Sequence, residues 1–121
     1  MARKDELGRE GERLAAEHLR ATGYTIVERN WRCTIGEIDI VAQQGGTTVV
    51  VEVKTRSGVG FGHPLDAVTP RKLARLRRLA GAWCDAQPAP PGRSARDLRI
   101  DVIGVIAGRD GVTIDHLQQV C

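Results

Sequence analysis

The sequence predicts an α/β domain in which a mixed β-sheet is flanked by helices. Two segments with helical periodicity enclose three strand-like segments, and two more strand-like segments follow the second helix. An order of helix, three strands, helix and two strands is typical of layered α/β domains. With 121 residues and 41% hydrophobic content, the chain is expected to form one domain, 1–121, around one core.

The first helix is predicted from about residue 5 to residue 21. Its stripe of core-facing residues recurs at helical spacing and contains Leu7, Leu14, Ala15, His18 and Leu19. Gly11 lies within this stripe at a cost of roughly 1 kcal/mol relative to alanine, so we expect it to permit close approach of the helix to the sheet. Glu12 projects from the border of the stripe, and Gly23 is placed to end the helix in a left-handed cap.

Three strands are predicted over residues 24–31, 37–43 and 47–55. In the second strand the even positions 38, 40 and 42 are apolar and are expected to share one face, opposite Glu37, Asp39 and Val41. In the third strand valines fill positions 49, 51 and 53, so Glu52 and Lys54 share the opposite face. The Gly45-Gly46 pair predicts a tight hairpin between the last two strands, because glycine supplies the positive φ angles of such turns.

The second half of the chain begins with a glycine-containing loop, 57–64, which is expected to form a flap. Thr69-Pro70 then predicts a helix start, with threonine as the N-cap. Its buried stripe is expected to contain Leu73, Leu76, Leu79, Ala80 and Trp83, opposite a basic stripe of Arg71, Arg75 and Arg78. A proline-containing loop over 87–96 and strands over 98–106 and 112–117 complete the prediction.

The hairpin brings two acids together. A turn centred between Gly45 and Gly46 pairs Asp39 with Glu52 and Glu37 with Lys54, all on one face. Like charges directly opposite one another destabilise a sheet, so stability alone does not explain the acidic pair. A divalent cation between the carboxylates would remove that cost, and an all-oxygen site with few protein ligands suits Mg²⁺ or Mn²⁺. The alternative is that these residues form the solvated face of an amphipathic hairpin.

Composition narrows the classes of function. Aromatic residues are only 3% of the chain, which argues against nucleic-acid binding by base stacking. The net charge is +3, but all except three of the 18 basic residues are arginine, the side chain best suited to phosphate contacts. Five basic residues lie between positions 71 and 78, which favours a polyanionic partner over an ordinary solvated helix face.

Cellular context is also predicted from composition. No apolar run approaches the roughly 20 residues needed to span a bilayer, and the charged N-terminus lacks a signal-peptide pattern, so a cytoplasmic location without membrane contact is expected. The three cysteines are odd in number and widely spaced, which argues against a disulfide framework or a zinc site.

Residues 36–41, GEIDIV, followed by residues 51–54, VEVK, resemble the signature of PD-(D/E)XK nucleases in the variant carried by archaeal Holliday-junction resolvases. The chain as a whole more closely resembles the YraN-like family of small, endonuclease-like bacterial proteins. Further matching positions include Gly8, Gly11, Gly23, Asn30, Arg32, Pro64, Lys72, Arg99 and Asp101. The resemblance implies a restriction-endonuclease-like αβββαβ core. The chain departs from the signature at Ile38, where the signature's name has proline.

The resemblance implies a role for each matching residue. Asp39 and Glu52 would be metal ligands, Lys54 the catalytic lysine and Glu12 a further acid supplied by the first helix. The leading functional interpretation is therefore a Mg²⁺- or Mn²⁺-dependent endonuclease acting on structured or branched DNA. By analogy with resolvases, two active sites would be needed for a symmetric junction, which makes a homodimer plausible.

Expected nucleic-acid contacts come from Arg56, Arg71, Lys72, Arg75 and Arg78. Arg56 is two positions beyond Lys54, where it either clamps a phosphate or is an ordinary surface arginine. The competing interpretations of function are a non-catalytic nucleic-acid-binding module of the same fold and a protein-interaction component whose charged face binds an acidic partner.

Overall fold

The computed structural model describes residues 2–58, 60, 62–88 and 98–118, with side chains from residue 6 onward. Its helices are α1 (Ala2–Ala21) and α2 (Pro70–Ala86), with a short 3-10 helix over Pro64–Ala67. Its strands are β1 (Thr25–Arg32), β2 (Glu37–Gln44), β3 (Thr47–Arg56), β4 (Leu98–Gly108) and β5 (Gly111–Leu117). The predicted α/β class and αβββαβ order are confirmed. Most of the predicted loop over 87–96 lies outside the described residues.

The five strands form one mixed sheet in the order β1-β2-β3-β4-β5. Among the described strands only the β3–β4 pair is parallel, and the connection between these strands carries α2. The β2–β3 hairpin has the predicted register over its turn-proximal part, from Gln44 opposite Thr47 to Ile40 opposite Val51. Gly45, at the turn, has a φ of 60°, a conformation that glycine adopts without steric cost.

A helix covers each face of the sheet, and β3 contributes alternate residues to the two resulting cores. Val49 and Val51 pack with Ala15 and Leu19 of α1, whereas Val50 packs on the side of α2. The α2 side also buries Leu76, Leu79, Ala80 and Trp83, as the helical spacing predicted. The strand that carries Glu52 is therefore central and covered on both faces, as its run of valines indicates.

The predicted alternation of β2 is wrong at one residue. Ile40 and Ala42 face α1, but Ile38 packs in the α2 core with Val41. The face changes where β1 is irregular, because Asn30 has a left-handed φ of 56° between Arg29, paired with Ile40, and Trp31, paired with Ile38. This irregularity lies beside Asp39.

Helix α1 touches β3 at Gly11. A Cβ atom at this position would overlap Oγ1 of Thr55 and lie 2.8 Å from the Cβ and Cγ2 atoms of the same side chain. The predicted close approach of helix and sheet is confirmed, and it fixes the depth of the following residue, Glu12. Neither described helix combines the length and apolar character needed to cross a membrane.

A buried polar network links α1, β4 and β5 on the side of the sheet covered by α1. Asp101, whose exposure is 0%, accepts hydrogen bonds from Arg99 and Tyr24 and contacts Nε2 of His116 at 2.7 Å. His116 in turn contacts His18. The predicted packed role of His18 on the helix stripe is thus confirmed, with a polar partner that its sequence position did not reveal.

We expect Tyr24→Phe to cost about 1–2 kcal/mol of unfolding free energy. The Tyr24 hydroxyl donates to Asp101 and accepts from Arg99 at 2.6 Å and from Gln118 at 2.7 Å, and the substitution removes these bonds while it keeps the ring. Urea unfolding monitored by circular dichroism measures the loss. An unchanged midpoint would mean that the network contributes little to stability.

Candidate active site

The candidate site lies where β2 and β3 diverge, beneath the N-terminal half of α2. A cavity of about 180 Å³ is lined there by Glu37, Asp39, Glu52, Lys72, Arg75, Leu76 and Leu79. Its polar lining thus combines three carboxyl groups from the hairpin with two cations from the helix. The described structure places the two predicted metal ligands, Asp39 and Glu52, in one cavity.

Asp39 is part of the sheet as well as part of the site. Its Oδ2 atom accepts a hydrogen bond of 2.8 Å from the backbone N–H of Val53, beyond the last main-chain pair of the hairpin, Ile40 with Val51. The carboxyl group therefore takes the place of a main-chain acceptor for β3. This contact holds Asp39 against the strand that carries Glu52.

The two acids interact strongly. Burial and then the charge of Glu52 raise the pKa of Asp39 to about 8, although the Val53 N–H opposes this rise. Below that pH Asp39 is protonated, which allows a hydrogen bond between its carboxyl group and that of Glu52. Near neutral pH and without a cation between the two acids, Asp39 therefore carries a proton.

Glu52 is buried, with 8% exposure, and its charge has a partner from the helix. The Nζ atom of Lys72 lies 2.9 Å from Oε2 of Glu52. Burial lowers the pKa of Lys72, but the hydrogen bond and charge of Glu52 outweigh it, so that its pKa is raised overall. Lys72 therefore stays positively charged in the cavity.

Lys54 follows Glu52 by two positions on β3 and is partly buried. Burial and then the nearby charge of Lys72 lower the pKa of Lys54. The two ammonium groups thus lie close together, next to the acidic pair. The predicted strand pairs of Asp39 with Glu52 and of Glu37 with Lys54 are not part of the register, because the β2–β3 ladder ends at Ile40 opposite Val51. Beyond this pair, on the side away from the turn, β2 and β3 separate, so that Asp39 and Glu52 come together through their side chains in the cavity.

Two further acids surround the pair. Burial raises the pKa of Glu12, with Arg29 opposing this shift and the charges of Glu37 and Glu52 adding to it. Glu37 lines the cavity and forms an ion pair of 2.8 Å with Arg32. Glu12 and Asp39 also interact electrostatically, so α1 brings its glutamate toward the same site, as the resemblance implied.

The predicted basic residues occupy three different environments. Arg71 and Arg78 are exposed on α2, and Arg75, also exposed, lines the cavity and covers Gly36. A Cβ at Gly36 would lie 2.6 Å from Nη2 of Arg75. Arg56 is partly buried, and its Nε atom has no hydrogen-bond partner among the described residues.

The donor set fits a hard divalent cation that keeps most of its waters. Among the described side chains, no three His, Cys, Asp or Glu residues are arranged to hold a metal ion. Asp39 and Glu52 nevertheless supply two adjacent carboxyl groups, and burial together with the charge of Glu52 raises the pKa of Asp39. Mg²⁺ is commonly held in proteins by one or two carboxylates plus water, so a two-carboxylate site is sufficient.

The amino-acid sequence that forms this site matches a known protein family. The family model described as "Uncharacterised protein family UPF0102" matches residues 11–105, which include both acids and both lysines. The chain belongs to the UPF0102 family. A UPF0102 protein of Clavibacter michiganensis subsp. michiganensis is 59% identical over 111 residues, covering 92% of this chain and 91% of the relative. A UPF0102 protein of Leifsonia xyli subsp. xyli is 56% identical over 106 residues, covering 88% and 86%.

A third UPF0102 relative, from Acidothermus cellulolyticus, is 51% identical over 124 residues and covers 95% of this chain and 92% of the relative. The YraN-like family resemblance is thereby confirmed. All three relatives are UPF0102 proteins that match this chain over most of its length.

The sequence-based prediction grouped Lys72 of this UPF0102 chain with the arginines expected to contact nucleic acid, rather than beside Glu52. The helical spacing contained the missing signal. Lys72 precedes Leu76 by four residues and Leu79 by seven, so it begins the stripe that faces the sheet rather than the exposed one. Thr69, the N-cap, accepts the backbone N–H of Lys72 at 3.2 Å and fixes this first turn of α2.

His63 of the UPF0102 chain has a structural role in the described part of the loop. Its Nδ1 atom accepts the backbone N–H of Leu65, so the ring caps the 3-10 helix. Its Nε2 atom contacts Asp115 of β5. Both ring nitrogens are therefore engaged, which favours the interpretation of His63 as a residue that anchors the loop.

Proposed function

We propose that this protein is a metal-dependent endonuclease that hydrolyses phosphodiester bonds in structured or branched DNA. The observation that carries the proposal is the Asp39–Glu52 pair, two carboxyl groups that line one cavity. Burial and the charge of Glu52 raise the pKa of Asp39 to about 8, so the ionisation of both acids is unfavourable. Such a pair is costly for the fold and suited to a divalent cation. The resemblance of residues 36–41 and 51–54 to the PD-(D/E)XK signature supports the same interpretation.

Each residue of the site has a chemical role in this proposal. Asp39 and Glu52 would hold Mg²⁺ or Mn²⁺, which supplies a more acidic water and neutralises charge on a phosphoryl oxygen. Lys54, on the same strand face as Glu52, would orient the attacking water or the scissile phosphate. Its lowered pKa follows from burial and from Lys72. Glu12, whose partial burial raises its pKa, would add a further carboxyl group near Asp39.

The exposed arginines of α2 would hold the DNA backbone over the cavity. Arg75 belongs to both regions, because it lines the cavity and lies on the exposed side of the helix. Arg71 and Arg78 extend the same stripe along α2. The strand-end residue Arg56 lies two positions beyond Lys54 on β3, where its guanidinium group would add a phosphate contact. A nucleic acid could thus contact α2 and the end of β3 at once.

Incubation with branched, flapped, nicked and linear DNA tests the proposal. We expect cleavage that requires Mg²⁺ or Mn²⁺ and is lost in EDTA. Matched RNA substrates distinguish the two nucleic acids. The Glu52→Gln variant, which keeps the size of the side chain, serves as the inactive control. Metal-independent cleavage, or equal cleavage by Glu52→Gln, would contradict the proposed site.

The second candidate is a non-catalytic nucleic-acid-binding module of the same fold. The exposed arginine stripe favours it, since this stripe does not depend on the acids. Binding to DNA without cleavage of any substrate at millimolar Mn²⁺ would support this candidate and remove the enzyme proposal.

Charge neutralisation of the stripe tests nucleic-acid binding under both candidates. In the Arg71→Gln, Arg75→Gln, Arg78→Gln triple variant we expect weaker DNA binding and a shallower dependence of log K on log salt. Each lost phosphate contact should change that slope by about 0.9. The control triple replaces Arg9, Arg20 and Arg109, exposed residues outside α2, and should keep the slope. Equal slopes in both triples would assign the stripe to ordinary surface.

A further inference from the structure

Lys72 reaches from the exposed helix into the acidic pair. Its ammonium group lies 2.9 Å from Oε2 of Glu52. The Lys72 side chain is 28% exposed, whereas the Glu52 side chain, taken without its backbone, is 11% exposed. The backbone of this turn is fixed by the Thr69 cap, whereas a lysine side chain has a long, flexible stem. The charged end can therefore change partners without movement of the helix.

The position of this ammonium group conflicts with metal binding at the same acid. Oε2 of Glu52 is one of the two oxygens that the acid could offer to a cation, and Lys72 already occupies it. Lys54 interacts electrostatically with both Lys72 and Glu52, so a further positive charge at Glu52 would be repelled by two ammonium groups. A cation that binds Glu52 therefore competes with Lys72.

Lys72 has another destination close by. Its neighbours on α2 include exposed Arg71 and the cavity-lining Arg75, and these two arginines carry the phosphate contacts of the proposed function. A phosphate placed against them would offer the ammonium group an anionic partner in exchange for Glu52. The same side chain thus lies between two anions, one from the protein and one from the ligand.

We propose that Lys72 is an exchangeable counterion that couples metal binding to nucleic-acid binding. Without metal it neutralises Glu52, and when metal binds it passes to a backbone phosphate of the nucleic acid. This inference rests on the proposed function, because it assumes that the acidic pair binds a divalent cation. Since binding free energies are reciprocal, DNA must then strengthen metal binding by the same factor by which metal strengthens DNA binding.

Equilibrium Mn²⁺ binding, followed by the electron paramagnetic resonance signal of free Mn²⁺, tests the coupling. Titrations are made with and without a phosphorothioate duplex that resists hydrolysis. In the unsubstituted protein we expect the duplex to tighten Mn²⁺ binding by about fivefold or more. Lys72→Met should bind Mn²⁺ more tightly than the unsubstituted protein when no DNA is present, because the competitor is gone, and the effect of the duplex should fall below twofold.

Two further variants separate exchange from simple loss of charge. Arg77→Met removes one positive charge from an exposed position of α2 and should leave both the Mn²⁺ affinity and its coupling to DNA unchanged. Lys72→Gln keeps a hydrogen-bond donor for Glu52 and should behave as Lys72→Met does, which provides the same test if the methionine variant folds poorly.

The two failures are distinguishable. If the unsubstituted protein binds Mn²⁺ but Lys72→Met and Lys72→Gln bind it no more tightly, or keep the full effect of DNA, Lys72 is a fixed ion-pair partner and the inference is overturned. If the unsubstituted protein binds no Mn²⁺ with or without DNA, the proposed function is wrong, and the inference about Lys72 is wrong for the same reason.

Discussion

Asp39→Asn is expected to stabilise the metal-free protein and to abolish its response to metal. The amide oxygen can still accept the Val53 N–H that now bonds to Oδ2 at 2.8 Å, and the amide group cannot carry the charge that Glu52 disfavours. Under the proposed function the substitution removes a metal ligand, so nuclease activity should be lost as well. A more stable protein that has lost its function is a combination that a merely structural acid would not produce.

The pH dependence of stability gives this prediction a sign. The pKa of Asp39 is raised to about 8 in the folded protein, against about 3.9 in an unfolded chain. Between these values the folded state retains a proton that the unfolded state releases. The contribution of Asp39 to stability is therefore fully present below about pH 4 and is lost as pH rises toward 8, by roughly 1.4 kcal/mol per pH unit.

Urea unfolding in EDTA at pH 5 and pH 7 measures this contribution in the unsubstituted protein and in Asp39→Asn. The difference between the two proteins should change by about 2–3 kcal/mol in favour of the asparagine variant at the higher pH. Parallel pH profiles would contradict the raised pKa.

Thermal melts in a metal titration provide the second half of the test. A bound cation should add about 2.7 kcal/mol to the unsubstituted protein at a hundredfold excess over its dissociation constant. No such gain is expected in Asp39→Asn. If the melting temperature of the unsubstituted protein does not respond to millimolar Mn²⁺ in the presence of DNA, the enzyme proposal should be abandoned for the binding module.

Gly11→Ala is expected to be strongly destabilising, by about 3 kcal/mol. The added methyl group would overlap the Thr55 side chain on the central strand, and neither the helix nor β3 can move alone, because both belong to one core. Any outward shift of α1 would also carry Glu12 away from Asp39. We therefore expect lower stability and, in the fraction that folds, lower activity.

Gly8→Ala is the matched control, since it lies one helical turn earlier and a Cβ there meets nothing within 4 Å. It should stabilise the protein by up to about 1 kcal/mol through helix propensity. Opposite signs for the two glycines, measured by urea unfolding, would confirm that Gly11 is selected by contact. Two stabilising substitutions would show that α1 adjusts to the extra methyl group.

The fold was largely predictable because its signals are local. The hairpin register near the turn, as far as Ile40 opposite Val51, follows from Gly45-Gly46, and the start of α2 follows from Thr69-Pro70. The face of Ile38 was not predictable, since alternation along β2 is interrupted by the left-handed conformation of Asn30 on the neighbouring strand. A pattern within one strand contains no information about an irregularity in its partner.

The structure brings the predicted acids Asp39 and Glu52 into one cavity and places Lys72 beside Glu52, a contact that the sequence pattern did not indicate. Asp39 and Glu52 meet because both lie near the end of a short hairpin, where sequence distance and spatial distance agree. Lys72 meets Glu52 only through the packing of α2 on the sheet. Its basic neighbours on the exposed face made a phosphate-binding role the simpler interpretation. The Asp101–His116–His18 network escaped prediction for a similar reason, because His18 of α1 is distant along the chain from the β4–β5 hairpin that carries its partners.

The hydrogen bond from Val53 to Asp39 affects how divergence among relatives should be interpreted. A lineage that gave up catalysis would still need an acceptor for this N–H, and Asn would satisfy it as well as Asp. Asp or Asn at position 39 of a relative therefore does not by itself indicate an active enzyme. Glu52 satisfies no main-chain group of the described hairpin through a comparable bond, and Lys72 is its partner. We expect drift in inactive lineages to appear first as paired loss of Glu52 and Lys72.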